Sequence, residues 1–264
     1  MPRLSQSQTK RITMPFTEYI EQIRQLLDRI QSGQSAAIAA AGALVAETLE
    51  RSGIVHTFGT GHSHMIAEEA FFRAGGLVPV NAILDTRLAF LDGALESTRA
   101  EREEGYARSL IERECITPND IAILISNSGR NTVPIDMALE MKARGLRTIA
   151  ITNLKQSAGA VSRHPSGRRL FEVVDLAIDT CVAEGDAMLR LENLEQSVGP
   201  ASTIAGAVII NSIMIEAAAL LARSGRSVPV FPSANLGAAS DEYIASLYSP
   251  FRGRIRCLDK EMTQ

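Results

Sequence analysis

Ile54-Val55-His56-Thr57-Phe58-Gly59-Thr60-Gly61-His62-Ser63-His64 and Ile121-Ala122-Ile123-Leu124-Ile125-Ser126-Asn127-Ser128-Gly129-Arg130-Asn131 share one plan. Each starts as a short apolar run and ends in a turn rich in glycine, hydroxyl and amide groups, after which a helical pattern begins. That is the strand–loop–helix unit of a parallel sheet with helical crossovers. Working outward, similar runs at 77–84, 148–152 and 173–178 predict three more strands, bounded by Gly, Pro, Asn or Asp as doubly buried strands are. Helical patterns fit at 64–74, 99–113, 132–144 and 201–223. The last is apolar on nearly every face and predicts a core or a subunit interface.

Before the first strand, Phe16, Tyr19, Ile20, Ile23, Leu26, Leu27 and Ile30 repeat at helical spacing. Gly33 is expected to break that helix, and a second, Ala-rich helix to run to Glu50 and stop at a C′ glycine, Gly53. Residues 1–15 read as a flexible polar arm. Residues 16–264 read as one doubly wound α/β domain with an N-terminal helical extension.

The composition narrows the class. With 264 residues, 45% hydrophobic and 22% charged, the chain has enough apolar surface for a core. A net charge of −3 exerts no long-range pull on nucleic acid, and the basic clusters at 163–169 and 252–256 lack interleaved aromatics. Cys115, Cys181 and Cys257 are scattered and read as reduced thiols. The N-terminus has no apolar signal-like run, and Ser202, Thr203, Asn211, Ser212 and Glu216 interrupt the stretch at 201–222. The expectation is a cytoplasmic protein with no membrane and no nucleic-acid partner.

Ligands of open α/β sheets bind beyond the carboxyl ends of the strands. In the first loop, Gly59 and Gly61 let the backbone approach an anion, Ser63 adds a hydroxyl, and the helix start adds N–H groups. His64 replaces the third glycine of a dinucleotide fingerprint, although Asp85 at the end of the next strand suits a ribose. No G-K-[ST] follows, which excludes a Walker loop. In the second loop, Ser126, Asn127, Ser128, Gly129, Arg130 and Asn131 converge donors on a helix N-terminus, as a phosphate monoester requires. Ser202 and Thr203 open the long apolar helix in the same way, or simply cap it.

These residues carry a resemblance. Gly-x-Gly-x-Ser after one strand, Ser-x-Ser-Gly after another and Ser-Thr at a later helix start resemble the sugar isomerase (SIS) fold, over roughly residues 35–225. That resemblance implies a five-stranded parallel sheet between helices that binds phosphosugars. Pro229-Val230-Phe231-x-Ser233-x-Asn235 and the tail to Arg254 look like a bacterial branch of sugar isomerase domain-containing proteins. The first loop is similar to that of phosphoheptose isomerases, and Ser-Gly-Arg to that of N-acetylmuramic acid 6-phosphate etherases. By position, the resemblance carries sugar or phosphate contacts onto Ser63, Ser126, Ser128 and Ser202. Asn131 stands where the motif commonly has Ser or Thr.

Isomerisation needs a base for the proton alpha to the carbonyl. Phosphoheptose isomerases use a His and a Glu on the helix after the first loop, some with zinc; Glu69 and Arg73 stand at those positions here. The later Gln and His of that zinc set have no counterpart on 201–223. Glu69 is therefore the expected base, with the adjacent Glu68 solvated. Glu104, beside Glu103 and ahead of Gly105-Tyr106, falls where related isomerases put a polar loop near the sugar, or is part of a surface charge run. Asp179, Glu184 and Asp186 read as loop carboxylates. His56 reads as a buried strand residue, while His62 and His64 flank Ser63 and suit proton transfer or phosphate contact. No metal and no cofactor is expected. The resemblance implies a homodimer or homotetramer acting on a phosphorylated sugar by enediol-type proton transfer, against two alternatives: a non-catalytic phosphosugar sensor, and a phosphosugar lyase or etherase.

Overall fold

The computed structural model describes residues 14–233 and 240–258, so the expected arm falls almost wholly outside the described residues, as does Asn235. The chain opens with α1 (Pro15–Glu50), one 36-residue helix that runs through Gly33. A helix-interior glycine costs about 1 kcal/mol, and tertiary contacts outweigh it here. The Gln34 side chain, one residue on, accepts the Asp179 amide at 3.1 Å, and the residues beyond it pack into the core. The helix ends in a Schellman pair, Gly53 N–H to Thr48 carbonyl at 2.9 Å and Ser52 N–H to Leu49 carbonyl at 3.1 Å. The left-handed residue is Ser52 (φ 60°), not Gly53.

The sheet follows: β1 (Val55–Gly59), α2 (Ser63–Glu69), β2 (Val80–Ile83), α3 (Ala94–Ala100), α4 (Tyr106–Ile111), β3 (Ile121–Ile125), α5 (Thr132–Ala143), β4 (Arg147–Thr152), α6 (Leu154–Gly159) and β5 (Leu176–Asp179). Its five strands are all parallel, in the order β2-β1-β3-β4-β5. A small antiparallel hairpin, β6 (Ala187–Leu189) with β7 (Val198–Pro200), leads into α7 (Ser202–Arg223), and α8 (Asp241–Tyr248) lies near the C-terminus.

The period-2 alternation of β3 divides the core. Ile121, Ile123 and Ile125 face α1, α2 and α7, while Ala122 and Leu124 face the layer that contains α4 and α5. All five residues of β1 and of β3 are buried, as near-continuous apolar central strands must be. By length and composition α7 would pass as a membrane span; here it packs along α1 and over α2.

Several expected boundaries shift for identifiable reasons. The strand expected at 77–84 pairs with β1 only from Val80, because Leu77 and Val78 bond instead to Val230 and Pro229. The helix expected at 64–74 stops at Glu69, before the left-handed Phe72 (φ 41°). The one expected at 99–113 is split into α3 and α4, with Gly105 at φ 74° capping the second. The expected strand 173–178 begins only at Leu176, after a 3-10 turn at Leu170–Glu172.

Candidate functional site

The order β2-β1-β3 places the reversal of chain direction between β1 and β3, where open α/β sheets bind ligands. Gly59 is the register partner of Ile125, so the two loops leave the sheet side by side. Between them lies a cavity of about 300 Å³ lined by Thr60, Gly61, His62, Ser63, Ser126, Asn127, Ser128 and Asn131, with further walls from four other segments.

The first loop is held tightly. A Cβ on Gly59 would lie 2.4 Å from the Ser63 carbonyl oxygen, so a side chain there is incompatible with the turn. Gly61 N–H bonds the Leu88 carbonyl at 2.8 Å, and the Thr60 hydroxyl donates to Glu101 at 3.0 Å. The His62 ring meets the Phe90 ring edge-on, 4.8 Å between centroids. His64 turns back onto its own loop, its Nδ1 2.6 Å from the Gly61 carbonyl, and is not part of the lining.

The second loop rests on β4, α6 and the segment beyond. Gly129 has φ 57°, and a Cβ there would lie 2.5 Å from Ser157 Oγ. Its N–H donates to Ser126 Oγ at 3.2 Å and its carbonyl accepts the Leu170 amide at 2.8 Å. Asn127 Oδ1 accepts the Thr180 hydroxyl at 3.1 Å. Asn131 caps α5 through backbone alone, and its Oδ1 accepts from Arg163 at 2.8 Å. Burial, then the neighbouring Arg102 and Arg130 charges, push the Arg163 guanidinium below its ordinary pKa. A dianion at this loop would relieve that repulsion. Gly129 and Arg130 are not in the lining; the Arg130 Nε is buried with no partner among the described residues.

The third expected anion site is already filled. Asp186 Oδ1 accepts the amides of Ala201 (3.0 Å) and Ser202 (2.7 Å), and Oδ2 accepts the Ser202 hydroxyl at 2.6 Å. This carboxylate compensates the positive end of α7. Ser202 and Asp186 both line the cavity, whereas Thr203 does not. Asp186 is thus more than a loop carboxylate.

The expected acids and bases stand elsewhere in the chain. Glu69 is ion-paired to Arg73 and accepts from Asn211 Nδ2 at 3.0 Å, outside the lining. Glu104 lines a separate cleft of about 260 Å³ with Asp136 and His164. Asp85 is engaged by the Tyr106 hydroxyl at 2.8 Å and by the Arg87 and Leu88 amides, so the dinucleotide idea loses its ribose contact. His56 is buried between Asp120 (3.3 Å) and Asn81 (3.1 Å), as its strand position predicts. Sequence reasoning missed Thr60, Phe90, Ser97, Thr98, Glu101 and Gln156 in the cavity wall. Of these, Thr60 lies inside a loop already singled out and was within reach of the pattern.

Comparison with known proteins places this geometry in a family. The SIS domain model matches residues 18–153. A UPF0309 protein of Geobacillus thermodenitrificans is 42% identical over 241 residues, covering 91% of this chain and 96% of the relative. One from Listeria monocytogenes serotype 4b is 41% identical over 243 residues, 92% and 98% of the two chains. Among solved structures, the Escherichia coli CFT073 protein c3406, in complex with a phosphosugar, is similar in fold at TM-score 0.51 and 17% identity, over 81% of this chain and 91% of that one. The parallel sheet with paired hydroxyl-rich loops at its switch point, the matched model and the near-full-length relatives agree: this chain belongs to the SIS domain family.

Proposed function

We propose that the cavity between β1 and β3 binds a phosphorylated sugar and that the protein isomerises it by enediol-type proton transfer. The observation that carries this reading is the pairing of the two loops in one cavity, with neutral donors lining it and three arginines grouped at the second loop. Ser126, Ser128 and the loop amides would hold the phosphate, which needs many donors around three oxygens. Ser63, His62 and Asn127 would meet the sugar. The Escherichia coli protein of the same fold is solved with a phosphosugar bound. A dimer or tetramer belongs to the same reading, because α7 leaves Val208 and Ile215 exposed; light scattering measures it directly.

The sensor reading keeps the same cavity and differs in chemistry alone. What favours it is that Glu69, His64 and Glu104 all stand off the cavity. The experiment is proton NMR in D2O with a panel of hexose, pentose, heptose and amino-sugar phosphates, on the wild type and Ser128→Ala. Exchange at C1 or C2 with new ketose or aldose signals supports the isomerase. Line broadening without exchange supports the sensor. Wild-type binding that Ser128→Ala leaves unchanged would sink the phosphate-loop assignment.

A further inference from the structure

We infer that Glu101 is the base that moves the proton between C2 and C1, an assignment that rests on the isomerase reading above. Among the described residues, two carboxylates line the cavity, Glu101 and Asp186. They differ in what their oxygens already do. Asp186 accepts three hydrogen bonds from the start of α7, which stabilise its anion and occupy the lone pairs a base would use. Glu101 accepts one, from the Thr60 hydroxyl at 3.0 Å on Oε2, which leaves its other oxygen to face a ligand.

Glu101 is also fixed to both ligand loops. Its side chain is tied to Thr60 of the first loop, and its carbonyl accepts the amide of Val133, in the first turn after the second loop, at 3.1 Å. It follows α3, where its amide bonds the Ser97 carbonyl at 3.1 Å. A ligand spanning the two loops therefore lies against a carboxylate held from two sides, the geometry that general-base catalysis requires. The remaining acids are committed elsewhere: Glu69 to Arg73 and Asn211, Glu103 to Arg87, and Glu104 to the separate cleft. Arg163 lies within electrostatic reach of Glu101 but gives a guanidinium N–H to Asn131.

In the open-chain aldose phosphate, Glu101 takes the C2 proton. The C–H pair becomes the C1=C2 bond, and the C1 carbonyl pair moves to O1. The proton on O2 passes to O1, and the protonated Glu101 then delivers its proton to C1, leaving a carbonyl at C2. No oxidant, reductant or further reactant enters. Thr60 is a positioning residue that orients the carboxylate.

The test uses the full-length protein with the turned-over sugar from the panel. Glu101→Gln is expected to lower kcat and C2 deuterium exchange by about 10²-fold or more, while the calorimetric Kd for the phosphosugar stays within about threefold. Thr60→Val is expected to lower kcat about tenfold with KM held, and Thr60→Ser to restore it. Glu101→Gln that retains turnover, or that loses binding and turnover together, overturns the assignment. So does a larger kcat loss in Glu69→Gln, or wild-type binding without exchange. A wild type that binds no phosphosugar overturns the isomerase reading itself and Glu101 with it.

Discussion

Asp186 and Ser202, sixteen residues apart, share two hydrogen bonds: the Ser202 amide at 2.7 Å and its hydroxyl at 2.6 Å both end on the one carboxylate. The chain thereby places its own anion where α7 would otherwise receive a ligand's. Asp186→Ala frees three donors, including the Ala201 amide. The variant is expected to lose about 1–2 kcal/mol of stability, the usual worth of a capping residue. Inorganic phosphate is expected to raise its melting temperature more than that of the wild type. Equal phosphate response would show that these donors do not reach the cavity.

Gln156 lines the cavity with a buried Oε1 that has no partner among the described residues. An unpaired buried acceptor costs about 1–3 kcal/mol. Gln156→Leu is therefore expected to melt higher than the wild type without ligand and to bind phosphosugar about tenfold more weakly. Calorimetry beside thermal melting separates the two effects, and unchanged affinity would assign the orphan oxygen no ligand.

Gly129→Ala puts a Cβ on a left-handed residue and against Ser157 Oγ. Strain of about 1–3 kcal/mol is expected, together with loss of phosphosugar binding, because the same turn aims Ser126 and Ser128. Gly129→Ala/Ser157→Ala relieves the contact but not the φ, so it should recover part of the stability and little of the affinity.

Asp120 is buried at the opposite pole of the sheet. Burial alone would raise its pKa, but hydrogen bonds from His56, the Ile54 and Thr117 amides and Arg254 outweigh it and bring the carboxyl down to about 2. A carboxyl whose folded pKa is depressed contributes stability above its unfolded value and loses it as pH falls through the folded one. About 2 kcal/mol is expected to disappear between roughly pH 5 and pH 2. Asp120→Asn should flatten that part of the melting curve. Arg254→Ala, which strips the guanidinium bound at 2.7 and 2.8 Å, is expected to cost about 3–5 kcal/mol at pH 7.

What was legible in the sequence follows from how local each signal is. The central strands and the loops after Phe58 and Ile125 were legible because apolar runs and Gly/Ser turns are written in consecutive residues. The continuity of α1 through Gly33 was not, since it depends on core packing and on a contact between Gln34 and Asp179 across 145 positions. The short α6 and the β6–β7 hairpin carry three- to six-residue patterns too brief to show a period. Of the site, Ser126, Asn127, Ser128, Asn131, His62, Ser63 and Ser202 reach the cavity from loops that announce themselves. Glu101 and Asp186 sit among ordinary surface charges in the sequence, and only the fold brings them to the cavity wall.

The helices that leave the two ligand loops depart to opposite sides: Ile66 and Ala67 of α2 belong to one half of the core, Val133 and Met137 of α5 to the other. A sugar phosphate bonded to both loops is consequently a rivet through the sheet, joining layers that otherwise meet only across it. Unfolding either layer must then release the ligand, so its binding energy adds to the stability of the whole as RT ln(1 + [L]/Kd), about 2.7 kcal/mol at a hundredfold excess over Kd. Heat resistance alone would rank candidate sugars, with or without turnover.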